Sequence, residues 1–157
     1  MTILKLDPSL THTGVVVIRD GKCIMHGTIA PDPKWLLPER LRYIARMIHD
    51  MDIDGPLDTV LIEVPHLGMR FGRGRAMLNA RSVQLLNYAT GVAIAAVSPY
   101  CADVQLIEAR PLRINGRVVA RKHKKRIITR LMSDKYGVEL DEHCADAASL
   151  EPNRPAR

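Results

Sequence analysis

Four residues of this 157-residue chain combine a chemical type and a local setting suited to holding a divalent metal: Asp7, Glu63, His143 and Asp146. Asp7 follows the apolar run Ile3-Leu4-Lys5-Leu6 and opens the turn Pro8-Ser9-Leu10-Thr11-His12-Thr13-Gly14. Glu63 follows Val60-Leu61-Ile62, and Pro65 keeps that strand from running on inside a sheet, because proline donates no ladder hydrogen bond. A carboxylate that ends an apolar central strand must find a partner or stay protonated. His143 and Asp146 are three apart and share one face of a helix, and Ala147-Ala148 let such a helix approach a sheet closely. Each has a plainer reading alone, as a turn-capping acid or a solvated histidine. Together they form a set of three carboxylates and one imidazole, which is what hard cations such as magnesium and manganese take.

The charge balance points the same way. A net charge of +6 and a pI near 9.5 favour anionic partners. Residues 65–75 hold Arg70, Arg73 and Arg75 among glycines. The stretch from Arg110 to Arg130 contains no acid and includes Arg113, Arg117, Lys122, Lys124 and Lys125. A solvated helix face alternates its signs, and neither segment does, so both read as phosphate-contacting surfaces. Aromatic content of 4% argues against a single-strand binder built on base stacking. The glycine-arginine loop lacks the Lys-Ser/Thr of a nucleotide cradle. The turn after Asp7 is like the phosphate loop of actin-like ATPases, but the chain is too short for the second domain they need.

With 46% apolar and 25% charged residues, the chain reads as one globular domain spanning 1–157. No apolar run is long enough for a membrane span, so no membrane partner is expected. Cys23, Cys101 and Cys144 are odd in number and scattered, which fits a reducing compartment and, by default, the cytoplasm.

The elements must bring the four residues together. Ile3–Leu6, Gly14–Ile18 and Lys22–Thr28 read as antiparallel strands, the last two joined by the hairpin signal Asp20-Gly21. A helix is expected from Glu39 to Met51, where Leu41, Ile44, Ile48 and Met51 recur at helical spacing. Thr59–Glu63 follows as a strand with no polar alternation, buried on both faces. A long helix over 76–97 turns apolar on nearly every side and is the candidate for a homodimer contact. Asp103–Glu108 is a further strand, then a basic loop to Ala120, a helix over Arg121–Tyr136 stopped by Gly137, and a short helix with Asp141 as N-cap. Three antiparallel strands followed by alternating helix and strand predict an α/β mixed sheet with helices on both faces.

The segments Ile3–Gly14, Val60–Pro65 and His143–Ala148 resemble, in order and spacing, the three motifs of the RuvC family of Holliday-junction resolvases. Family membership implies an RNase H-like fold and a metal-dependent endonuclease that resolves branched DNA as a dimer. It further implies two Mg2+ or Mn2+ ions held by the matched positions Asp7, Glu63, His143 and Asp146. An RNA-processing nuclease of the same fold and a non-catalytic nucleic-acid-binding relative are the alternatives. The chain departs from the family pattern in three places. Val64 stands where many relatives have a second acid, the last helix runs early into Glu151-Pro152, and His66 and Phe71 only approximate the usual loop aromatic. A divergent, phage-type member fits these departures.

Overall fold

The computed structural model describes residues 1–64, 80–108, 113–114, 117–118 and 121–152, with the side chains at 80, 113, 114, 117, 118, 121 and 122 outside that description. The strands β1 (Thr2–Asp7), β2 (Thr13–Arg19) and β3 (Lys22–Ile29) form an antiparallel meander. Asp20 and Gly21 turn the second hairpin with φ of 49° and 80°. Two positive angles are what a two-residue turn needs to match the right-handed twist of its strands.

Helix α1 (Leu37–His49) returns the chain to β4 (Thr59–Val64), which runs parallel to β1. Helix α2 (Ala80–Val97) leads to β5 (Val104–Glu108), parallel to β4. The sheet order is β3-β2-β1-β4-β5, with β1 in the middle. Val60, Leu61 and Ile62 have no exposed surface, as expected for a strand covered on both sides.

Two local expectations need correction. Helix α1 begins at Leu37 rather than Glu39 and ends at His49 rather than Met51. Glu39 reaches back so that the Leu36 N–H donates to its carboxylate at 2.8 Å, which caps the first turn, and Pro38 is tolerated there because that turn needs no donor. The basic loop contains two short antiparallel strands, β6 (Arg113–Ile114) and β7 (Arg117–Val118). Asn115-Gly116, a hairpin signal in the sequence, lies between them. For the long helix, 76–79 lie outside the described residues.

The two sheet faces carry different helices. Leu4, Leu6, Val15, Val17, Val60 and Ile62 pack against Ile44 and Ile48 of α1 and Ala93 and Val97 of α2. Val16 and Ile18 pack on the other side against α3 (Arg121–Tyr136), through Ile128, and α4 (Glu142–Ala148), through Cys144, Ala145, Ala147 and Ala148. Each large side chain buried this way contributes about 1.5–3 kcal/mol of transfer free energy. Much of the apolar character at the end of α2 is therefore core: Val92, Ile94 and Ala96 pack, partly buried, on the first cluster.

Candidate metal centre

The parallel register pairs Leu6 with Ile62, so Asp7 and Glu63 come next in step at the carboxyl ends of adjacent central strands. The crevice outside the carboxyl ends of parallel strands is where open α/β sheets bind ligands. Helix α4 brings the third carboxylate. Its start is fixed by Asp141, which accepts the Cys144 N–H at 2.7 Å, as the sequence predicts for an N-cap.

Two residues seat α4 against the sheet. A Cβ at Gly14 would lie 2.0 Å from the carbonyl oxygen of His143, so only glycine allows β2 and α4 to stand this close. At the other end the buried Lys5 donates from Nζ to the carbonyls of Ala148 at 3.0 Å and Leu150 at 2.7 Å. A cation there answers the negative end of the helix and carbonyls that no later turn would satisfy.

The electrostatics follow from this crowding. Burial, then the charges of Glu63 and Asp146, push the Asp7 carboxyl up to about 8, against the pull of Lys124 and Lys125. Burial raises Glu63 to about 7, with Lys124 opposing and Asp146 adding. Asp146 is raised by burial, opposed by Lys124 and Lys125. Three desolvated carboxylates thus press on one another, and the charges of Lys124 and Lys125 on α3 act on them. His143 acts on Asp146, stacks on the ring of His12, and has Nε2 3.5 Å from Glu142 Oε1.

Asp7, Glu63 and Asp146 therefore share one electrostatic environment, and His143 borders it. Among the described residues, no three acidic, histidine or cysteine side chains converge tightly enough to enclose an ion as they stand. Repulsion between like charges opposes that convergence, and a bound cation would relieve it. The donor set, oxygen-rich with one imidazole, fits a hard divalent cation.

The basic residues divide. Arg70, Arg73 and Arg75 lie outside the described residues. Arg113 and Arg117 are placed by backbone in β6 and β7, and Lys122 in the first turn of α3. Lys124 and Lys125 are close enough to lower the Asp7 and Asp146 carboxyls by their charge, and Lys125 Nζ pairs with Glu142 at 2.8 Å. The acid-free run thus finds a counterion on α4. Sequence reasoning missed Lys5, His12 and Gly14 as site-forming residues. A lysine inside an apolar strand run was the available sign for Lys5.

A central β1 flanked by an antiparallel meander on one side and parallel crossover strands on the other defines an RNase H-like α/β fold. No family model matches the chain. It is 30% identical over 142 residues to the crossover junction endodeoxyribonuclease RuvC of Bordetella parapertussis, covering 85% of this chain and 72% of that protein. The Bordetella petrii enzyme of the same name is 31% identical over 144 residues, with the same coverage of 85% and 72%. A solved structure of Thermus thermophilus RuvC in complex with a Holliday junction substrate matches with a TM-score of 0.71 at 16% identity, covering 94% of this chain and 88% of that one. A second Thermus thermophilus RuvC structure gives 0.61 at 20% identity, with coverage of 94% and 89%. The chain belongs to the RuvC family of crossover junction endodeoxyribonucleases. Among the described residues, no helix is long and apolar enough to cross a membrane.

Proposed function

We propose that this protein resolves Holliday junctions or related branched DNA by metal-dependent phosphodiester hydrolysis, with Asp7, Glu63, His143 and Asp146 as the ligands of two Mg2+ or Mn2+ ions. The observation that carries this reading is the cluster of three desolvated carboxylates, two at the carboxyl ends of β1 and β4 and one on α4, within reach of the charges of Lys124 and Lys125. Divalent cations bound there would activate the attacking water and stabilise the leaving oxygen.

The protein's own groups do the rest. Asp7, on the central strand in step with Glu63, would hold both ions. Glu63 would hold one side, and His143 with Asp146 the other. Lys124 and Lys125 offset the charge that an incoming phosphate brings to an acidic site. The Lys125–Glu142 pair is solvent-exposed on both sides and contributes little, so exchanging it for a phosphate is cheap. Arg70, Arg73, Arg75, Arg113, Arg117 and Lys122 extend the proposed DNA contact. A four-way junction offers two symmetric strands, which a two-fold homodimer matches, and α2 remains the proposed contact.

The deciding experiment is cleavage of synthetic four-way junctions, linear duplex and structured RNA with each ion. Paired cuts in the junction alone are expected. Preferential cutting of RNA, or none of any substrate, would overturn the reading.

His143 contributes the one nitrogen donor. Manganese takes nitrogen more readily than magnesium, so the wild type should work better with manganese, and His143→Ala, which removes a ligand, should lose most activity under either ion. His143→Asp should keep part of it and shift preference toward magnesium, because an acid at the same helical position faces the same ion. Initial rates under both ions decide this. Full activity of His143→Ala with magnesium would remove His143 from the site.

A further inference from the structure

The turn between β1 and β2 does more than reverse the chain. Thr13, fully buried, donates its hydroxyl to the Ser9 carbonyl at 2.8 Å and accepts the Ser9 N–H at 3.1 Å. The Thr11 N–H donates to Ser9 Oγ at 3.2 Å, and from outside the turn the Arg40 guanidinium donates to the Leu10 carbonyl. A segment strapped at its base and from α1 is a rigid mount. What it presents is His12, whose imidazole lies flat on that of His143, with ring centroids 4.7 Å apart and planes within 2°.

We propose that His12 is a positioning residue, a fixed plate that holds the His143 ring in the orientation from which it meets a metal ion. The proposal rests on the reading of His143 as a ligand. A ligating imidazole has to offer its lone pair in one direction, and rotation about its Cβ–Cγ bond spoils that. Of the ring's contacts with His12 and with Glu142, the stack is the one that fixes its plane. Its side chain is a quarter exposed, and its contact with Glu142, at 3.5 Å to a carboxylate oxygen that Lys125 holds at 2.8 Å, is too long to fix a ring. The parallel stack supplies the missing restraint, because turning the ring would break the face-to-face contact. The requirement is for a flat ring at position 12, not for its nitrogens.

Two measurements on the intact protein test this. In the metal-free state, NMR of the His143 ring protons should show a ring-current shift that His12→Ala removes and His12→Phe retains. Calorimetric titration with Mn2+ alone should then show binding weakened about 10-fold in His12→Ala, as typical for losing a residue that orients a ligand, and within about 3-fold of wild type in His12→Phe. In a His143→Ala background, His12→Ala should have no further effect. Unchanged Mn2+ affinity in His12→Ala would overturn the positioning role while leaving the metal site standing. Equal weakening in His12→Phe would also overturn it, by making the nitrogens of His12 essential. Failure of the wild-type protein to bind Mn2+ would bring down the metal-site reading, and this role for the stack with it.

Discussion

Asp7→Asn should all but abolish junction cleavage and at the same time make the metal-free protein melt at a higher temperature at pH 8. The two outcomes share one cause. Burial and the neighbouring carboxylates hold Asp7 up to about 8 and Glu63 up to about 7. A carboxyl whose pKa is raised by folding stabilises the folded state fully below its unfolded pKa, near 4, and that stability is lost as pH rises through the folded value. The metal-free protein should therefore weaken from about pH 4 to pH 8, by on the order of 2–3 kcal/mol once partial exposure is allowed for. Asparagine carries no charge, so Asp7→Asn escapes most of that loss. The expected rise is roughly 5–10 °C in Tm at pH 8 in EDTA, with little difference at pH 4.

Divalent cations should narrow the gap by stabilising the wild type, since a ligand bound only by the folded state adds to its stability. Cleavage should fall by roughly 10²–10³-fold or more, as expected when a preorganised electrostatic partner of the transition state is removed. Junction binding should hold or tighten, because one negative charge facing the phosphates is gone. Calorimetric melts at both pH values and a cleavage time course check the set. Cutting at more than a few per cent of the wild-type rate would remove Asp7 from the bridge, and a Tm difference independent of pH would remove the electrostatic account.

How legible this centre was in the sequence depended on the range of the interaction. That Asp7 and Glu63 end adjacent strands was readable because an apolar run ending in an acid is a local pattern, and two such strands in an α/β order have few ways to be arranged. The Asp141 N-cap and the Asp20-Gly21 hairpin were readable for the same reason. Local signals can also mislead. Glu39 reads as the start of a helix, yet it caps a first turn that begins at Leu37, and the stretch that reads as a basic loop holds two short strands on either side of Asn115-Gly116. Lys5, His12 and Gly14 share a different difficulty. Each acts on α4, some 130–145 positions away in the chain, and no spacing rule spans that distance. Lys5 has the residue type of a surface group and the position of a core group, and only the end of α4 explains it.

Gly14 carries the second large effect. A methyl group at this position cannot coexist with the His143 carbonyl oxygen 2.0 Å away, and both contacting groups are backbone, so no rotamer change relieves the clash. Gly14→Ala must push the start of α4 off β2. Cys144, Ala145, Ala147 and Ala148 are buried in the same interface, so the helix cannot tilt without opening that core cluster. The expected stability loss is about 1–3 kcal/mol, the usual range for overpacking. The expected loss of activity is larger in proportion, because His143 and Asp146 move with the helix while Asp7 and Glu63 stay on the sheet. A displacement of about 1 Å between groups that must act together can cost roughly 10²-fold in rate. Gly27→Ala is the matching control: it lies on β3, with nothing within 4 Å of the added carbon, and should be close to wild type in both properties. Melting curves separate the two terms, since cleavage is measured well below Tm, where both variants are folded. Hydrogen exchange should show faster opening confined to α4 in Gly14→Ala. A folded Gly14→Ala protein cutting junctions at the wild-type rate would mean that α4 does not have to sit this close for the site to work.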